Sequence, residues 1–474
     1  MIIFTWLTLL FLASSAQSQS QAQTGIGQAC NFNVSKSVAS SYGCNATCQQ
    51  VLAYTNAADL QTTGTAFDFD FYATAHNFSK SAPGDLLKLA AVNSSHLDVP
   101  SGMSTFRFQY TSKGIDGKPV PSTGYIAFPF ANPAHGGKFP LIAYAHGTLG
   151  VHHGCAPSSS PSLFNYDSWS PLMLYGYAIV GTDYAGLGNN FTSHKYCSYA
   201  AHAEDVYYSV QAARKAFPGV FTKQWMSMGH SQGAGTVWKL SEHPIVQDAS
   251  SGYLGTVAVA PGPKLYDTAT FAVKSIFPRP DYHQFVVSAE LGMMSYGVMQ
   301  AFPGYSPPWV GKAMKLRMKL ATLTQSCTTA FMGMSFDLSR DELITPGGNP
   351  ATDKTLKKWQ EINAPAQGDK ASRPLLIIHG SNDTSLLPDM TVKAYHHALK
   401  AGNEVHLLRY PGLDHSAALT ASAPTWLRFL EDQFAGKGGR GKPTDETIRP
   451  FDLAKAKAPL ELAFNEEPLA SLLG

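Results

Sequence analysis

The sequence predicts an α/β protein built on a mostly parallel, doubly wound sheet with a large, mainly helical insertion. Three observations carry that expectation. Short apolar runs suited to buried strands occur at 139–146, 176–183, 224–230, 254–260, 374–379 and from 404 onward. Helix-compatible segments, such as 201–216, separate successive runs, and that alternation is the doubly wound rhythm. Ser231, Asp383 and His415 each follow the C-terminal end of one of these runs, the edge where open α/β sheets place their chemistry.

The elements follow in order. Residues 1–17 hold the apolar stretch Ile2–Ala13 and then Ser-Ser-Ala-Gln-Ser, which reads as a secretory signal cleaved near Ala16, although the α-amino group is its only positive charge. Residues 18–60 are rich in Ser, Gln and Ala and carry three cysteines, so they are expected as a stapled arm lying on the domain. The first part of the core is expected over 61–261. It opens with Met103–Phe128, which alternates around Asp116-Gly117 as an antiparallel hairpin does. Strand 139–146 runs into His146-Gly147-Thr148. Strand 176–183 ends in Asp183, whose more ordinary role is to order its own loop rather than to touch substrate.

Residues 262–372 are an insertion expected to form a lid or cap, and the second part of the core follows over 373–436. The insertion holds seven of the 13 methionines (Met293, Met294, Met299, Met314, Met318, Met332 and Met334), with Phe302, Trp309, Phe331 and Phe336. Such residues either fill a helical core or line a space for an acyl chain. The Gly/Lys-rich stretch 436–443 reads as a linker, and the tail to 474 docks as a flap or stays unstructured.

Gly229-His-Ser-Gln-Gly233 is a G-x-S-x-G turn between a strand and a helix-compatible segment. The glycines are required by crowding around a strained serine. In a chain with 41 glycines the five-letter pattern alone says little, but its downstream partners follow in the order Ser, Asp, His, which is the α/β-hydrolase order. His415 would take the proton of Ser231 as it attacks a carbonyl, and Asp383 would fix the imidazole tautomer. The backbone N–H of Gln232 and that of Thr148 would stabilise the oxyanion, with Gly147 as the neighbouring choice for the second. The H-G-G-G form of that loop is absent. Asp414 adjoins His415 too closely to fold back onto its ring, Asp389 is a fallback acid, and His230 and His379 are expected to be structural.

Taken together, Ala145–Gly150, Cys155-Ala-Pro-Ser158, Gly181–Gly188, Gly229–Gly233, His379–Asp383 and Asp414-His-Ser416 resemble the secretory lipase family of fungi, over roughly residues 83–434. The resemblance implies an α/β-hydrolase core with a large lid, activity on carboxylic esters, and a disulfide between Cys155 and Cys327. Cys30, Cys44, Cys48 and Cys197 would then make two further bridges, whose pairing the spacing leaves open. His152-His153 depart from the family pattern, which carries an acidic residue in this loop.

Composition fits an exported enzyme. With 474 residues, 44% hydrophobic and 14% charged, the chain can bury a sizeable core. A net charge of +2 and no basic run interleaved with aromatics give no reason to expect nucleic acid. No run after the leader reaches the ~18 apolar residues of a membrane span. Six cysteines fit an oxidising compartment. Their spacing is poor for zinc, so no metal is expected and no cofactor is implied. Asn33, Asn45, Asn77, Asn93 and Asn190 are glycosylation candidates, whereas a glycan on Asn382 would crowd the acid, so Asn382 is expected bare.

The expected function is hydrolysis of carboxylic esters with apolar acyl groups, in solution or at a lipid–water interface, through an acyl-serine intermediate. The same triad admits an alternative, a hydrolase or acyltransferase acting on a specialised metabolite ester or lactone. A non-catalytic binding protein is the reading that an intact triad argues against. Nothing in the sequence provides an anionic or amine-recognising pocket for a peptidase.

Overall fold

Apolar runs long enough to be covered on both faces assemble into one sheet. The computed structural model describes residues 23–99, 101–133, 137–164, 168–438 and 441–452. The expected leader (1–17), the first residues of the arm and the tail beyond 452 lie outside the described residues. The strands are β1 (Ile26–Gly27), β2 (Phe67–Asp68), β3 (Leu86–Val92), β4 (Ser104–Lys113), β5 (Pro119–Phe128), β6 (Phe139–Ala145), β7 (Ala178–Thr182), β8 (Phe221–His230), β9 (Tyr253–Val259), β10 (Leu375–Gly380), β11 (Val405–Tyr410) and β12 (Thr444–Thr447). β1 and β2 make a small ribbon, and the other ten form a single sheet ordered β12-β11-β10-β9-β8-β6-β7-β5-β4-β3.

From β12 to β7 all neighbours are parallel, while β7–β5, β5–β4 and β4–β3 are antiparallel. The chain passes from β6 to β7 on one side and then to β8 on the other, so strand order reverses between β6 and β8. A crevice opens at such a switch point outside the carboxyl ends of the strands. The loop after β6 and the turn after β8 are the two that meet there.

Helices cover both faces. Val206, Val210 and Ala213 of the Tyr199–Ala216 helix and Val237 and Trp238 of the Gln232–Ser241 helix pack on one side. Trp169, Leu172, Trp426 and Leu430 pack on the other. This is the fold of the α/β-hydrolases.

Between β9 and β10 stand five helices of more than a single turn: Leu265–Phe271, Val286–Ala301, Lys312–Thr324, Thr328–Gly333 and Lys354–Asn363. Met293, Met314, Met318, Met334, Trp309 and Phe331 are buried together there, so most of the methionines fill a helical core. Phe336, by contrast, is 56% exposed.

The N-terminal arm is fastened to this layer. Asp59, in the Ala46–Thr63 helix, accepts from the N–H groups of Thr329 (3.0 Å) and Ala330 (2.8 Å), satisfying orphan donors of the Thr328–Gly333 helix. Arg317 is almost fully buried, pairs through two hydrogen bonds with Asp337 (3.1 and 2.9 Å), and donates to Gly43 O at 2.7 Å.

One expectation is corrected. Two disulfides form rather than three: Cys44–Cys48 and Cys155–Cys327, with Cys30 and Cys197 free and buried. Cys44 and Cys48 lie four residues apart at a helix start with Cα atoms 5.2 Å apart and pair with each other, while Cys30 and Cys197 are buried in separate clusters and do not meet. The stretch after the Gly/Lys-rich linker adds an edge strand, β12, parallel to β11.

Candidate active site

β8 delivers Ser231 at the switch point. The residue sits between the last strand residue, His230, and the first helical residue, Gln232, with φ 59° and ψ −121°. A non-glycine residue at positive φ is strained and persists only where its surroundings hold it. The flanking glycines are required by close approach. A Cβ at Gly229 would collide with Gly233 O, and one at Gly233 with Ala145 O, the last residue of β6. Gly147, in the loop after β6, is packed against the serine: a Cβ there would lie 3.4 Å from Ser231 Cβ.

Asp383 lies in the turn after β10 and is buried. Its Oδ1 accepts from Ser385 N and Leu386 N, both at 2.9 Å. Its Oδ2 accepts from His415 Nδ1 at 2.7 Å and from His379 Nε2 at 3.1 Å. Burial alone would raise the carboxyl, but the hydrogen bonds of His379 and His415 outweigh it and hold it well below the usual carboxylate range. The carboxylate can only accept, so His415 Nδ1 carries a proton and Nε2 presents its lone pair. For His415, burial works against the charged ring, but the hydrogen bond and charge of Asp383, followed by Glu290 and Asp414, raise its pKa.

His230 seats this loop. Its Nε2 donates to the main-chain oxygen of His415 at 3.1 Å, and the two rings lie 4.7 Å apart. Burial pushes the His230 imidazole down to about 3. Ser231 thus reaches His415 through its chain neighbour. Among the described residues no hydrogen bond joins Ser231 Oγ to the His415 ring. Asp389 is exposed at the start of the Pro388–Lys400 helix, and Asp414 accepts from Ser416 N and Ala417 N at 3.0 and 2.8 Å, so neither substitutes for Asp383.

The loop after β6 is held from several sides. Thr148 Oγ1 hydrogen-bonds with Tyr196 Oη at 2.8 Å, Thr328 N donates to Leu149 O at 3.0 Å, and Gly150 makes a β-bridge with Cys327. The Cys155–Cys327 disulfide ties the end of the same loop to the helical layer. Among the described residues the amides of Thr148 and Gln232 have no main-chain partner outside the regular elements. His152, where the loop departs from the family pattern, is buried with its ring edge-on to Tyr296 at 5.5 Å, and burial pushes it down to about 4. Asp183 orders its loop by accepting from Thr123 Oγ1, Ser158 Oγ and Ser158 N.

Ser231 opens on a cavity lined by Tyr196, Tyr199, Leu265, Glu290, Met294 and Leu386, among others. It holds about 10 Å³, barely room for one water, so an ester does not fit it as it stands. Of the methionines weighed from the sequence, Met294 is the one that lines this cavity. Glu290 escaped the sequence reading, whereas His379, expected to be structural, supplies Asp383 with a second imidazole donor. Glu290 had a signal: it is the one charged residue in the 16-residue apolar helix Val286–Ala301. Cys30 lies beside the Cys155–Cys327 sulfurs, but two of those three are in a disulfide, so the cluster offers a single thiol and not a metal site.

A strained serine, an imidazole and a buried carboxylate at the C-terminal edge of this sheet are the features of an α/β-hydrolase. The prolyl oligopeptidase family model matches residues 317–437, the part that carries Asp383 and His415. No curated protein matches the sequence. Among solved structures the chain is similar to Candida antarctica lipase A, with a TM-score of 0.60 and 15% identity, covering 80% of this chain and 89% of that one. It is similar to a putative hydrolase from Legionella pneumophila, at TM-score 0.62 and 18% identity, covering 75% and 99%. A rice cell wall degrading esterase, LipA from Xanthomonas oryzae, follows at TM-score 0.56 and 18% identity, covering 75% and 100%.

Proposed function

We propose that this chain is an exported serine hydrolase of carboxylic esters. The observation that carries the reading is the 2.7 Å hydrogen bond from His415 to Asp383, next to a serine held on a strained elbow. The serine's Oγ turns about χ1 to reach His415 Nε2, gives up its proton there, and attacks the ester carbonyl. Asp383 stabilises the imidazolium that results. The N–H groups of Gln232, at a helix N-terminus, and of Thr148 receive the oxyanion. The imidazolium protonates the leaving alkoxide, and water then releases the acid by the same steps reversed.

Leu265, Met294 and Leu386 supply an apolar surface for an acyl chain once the cavity opens. The similar lipase and esterase structures support ester rather than peptide chemistry. Two disulfides and the leader-like start support export. The asparagines at 33, 45, 77, 93 and 190 are all exposed, as glycan acceptors must be.

A fluorophosphonate probe and a panel of p-nitrophenyl esters from acetate to stearate, with a triglyceride emulsion alongside, test this reading. Labelling and turnover of wild-type protein, both abolished in Ser231→Ala, are expected. A folded wild-type protein that takes up no probe overturns it.

A further inference from the structure

Glu290 stands where a hydrolase of purely apolar esters has no need of an acid. Its side chain is 9% exposed, in a helix with no other charge. The first turn of that helix is tied to the loop bearing the acid, Val287 N donating to Thr384 O at 3.1 Å. Glu290 Oε1 accepts from Ser385 Oγ at 2.7 Å, while the buried Oε2 has no partner. Leaving such an atom unsatisfied costs about 1–3 kcal/mol, more if the group is charged. Asp59 has both oxygens engaged; the buried carboxyls Glu204 and Asp205 each leave one oxygen free as well, but neither lines the cavity that Ser231 opens on.

Glu290 lines the cavity that Ser231 opens on and holds the hydroxyl of Ser385, whose N–H donates to Asp383. It therefore stands on the imidazole side of the serine. In acyl transfer that is the side where the leaving alkoxide collects its proton.

We propose that Glu290 is a specificity-determining residue whose free Oε2 hydrogen-bonds a second hydroxyl on the leaving alcohol, so that esters of polyhydric alcohols are preferred over esters of simple alkanols. The proposal rests on the ester-hydrolase reading. Burial raises the pKa of this carboxyl, but in either protonation state it can hydrogen-bond a hydroxyl, whereas an ammonium group would need several acceptors.

Glycerol monobutanoate and propyl butanoate share an acyl group and differ in the alcohol's hydroxyls. Their kcat/KM ratio, divided by the same ratio for hydroxide-catalysed hydrolysis, is measured for the full mature chain and for Glu290→Gln and Glu290→Leu. Sites built to bond a polar group discriminate strongly against analogues lacking it, so a wild-type ratio of about ten or more is expected. It should fall towards one in Glu290→Leu and lie between in the isosteric Glu290→Gln, each variant checked for folding by circular dichroism. Equal ratios in wild type and Glu290→Leu overturn the inference, as does a Glu290 dependence seen only with aminoacyl amides. Failure of the fluorophosphonate to label wild-type protein would instead remove the ester-hydrolase reading beneath it.

Discussion

His230 donates from Nε2 to the main-chain carbonyl of His415, 3.1 Å away, so the residue just before the elbow serine fixes the loop that carries the imidazole. The contact runs between the ends of β8 and β11, two strands separated in the sheet by β9 and β10. His230→Phe keeps a ring against the His415 ring but removes the donor. Small displacements of a catalytic group lower the rate steeply, so kcat should drop about ten- to a hundred-fold. KM should change much less, because His230 does not line the cavity. Steady-state kinetics on a short-chain ester checks the split; a proportional rise in KM would point to a disturbed pocket instead.

The pH profile follows from the sign of one shift. His415 must be neutral to accept the serine proton, and its pKa is raised above the ordinary value of about 6.5. Activity is therefore lost as pH falls through that raised value, and the acid limb of kcat/KM should have its midpoint above about 6.5. Glu290→Gln removes one of the negative neighbours and should move the limb to lower pH. Asp383→Asn removes the largest favourable partner, moves it further, and lowers kcat by about 10⁴-fold through the wrong tautomer.

The parts of this site written in local sequence were legible. β8, β10 and β11 are fully or largely covered, so they had to be apolar runs, and Ser231, Asp383 and His415 followed them in a recognisable order. β12 was not legible: Thr444-Asp-Glu-Thr447 is a polar, exposed edge whose only reason to be extended is its pairing with His406–Arg409. The free cysteines were missed because pairing depends on which sulfurs meet in space. Glu290 needed the fold, since its meaning lies in a helix from the insertion meeting the loop after β10.

The elbow glycines should be intolerant in a graded way. Gly233→Ala drives a methyl into Ala145 O, a backbone atom of the neighbouring β6 that cannot step aside. A loss of about 3 kcal/mol or failure to fold is expected, read as a drop in Tm. Gly147→Ala meets Ser231 Cβ at an ordinary 3.4 Å, so its stability should stay close to wild type while activity falls from crowding at the serine. A Tm drop as large for Gly147→Ala as for Gly233→Ala would contradict this packing.

The thiol count separates two disulfides from three. Cys30 and Cys197 are buried, and burial pushes them up to about 11 and about 12. The native protein should not react with a disulfide exchange reagent at pH 8, because neither thiol is accessible or ionised. Unfolded in denaturant without reductant, it should release two equivalents per chain. Zero equivalents would mean that Cys30 and Cys197 are bonded after all.

The buried ion pair between Arg317 and Asp337 sets how firmly the arm and the helical layer hold together. Arg317 is 1% exposed, and its guanidinium donates to the Asp337 carboxylate and the Gly43 carbonyl, with the Cys48 sulfur also in contact. Asp337→Ala leaves a buried cation beside a carbonyl and a sulfur, which cannot replace a carboxylate. Breaking such a pair from one side costs about 3–5 kcal/mol, whereas replacing both partners by apolar groups of similar volume is often neutral. Asp337→Ala should therefore lower the Tm markedly, and the double variant Arg317→Met, Asp337→Leu should recover much of the loss. Differential scanning calorimetry of the three proteins decides it. A double variant no more stable than Asp337→Ala would mean that the Gly43 contact, which only the double variant loses, carries the attachment of the arm.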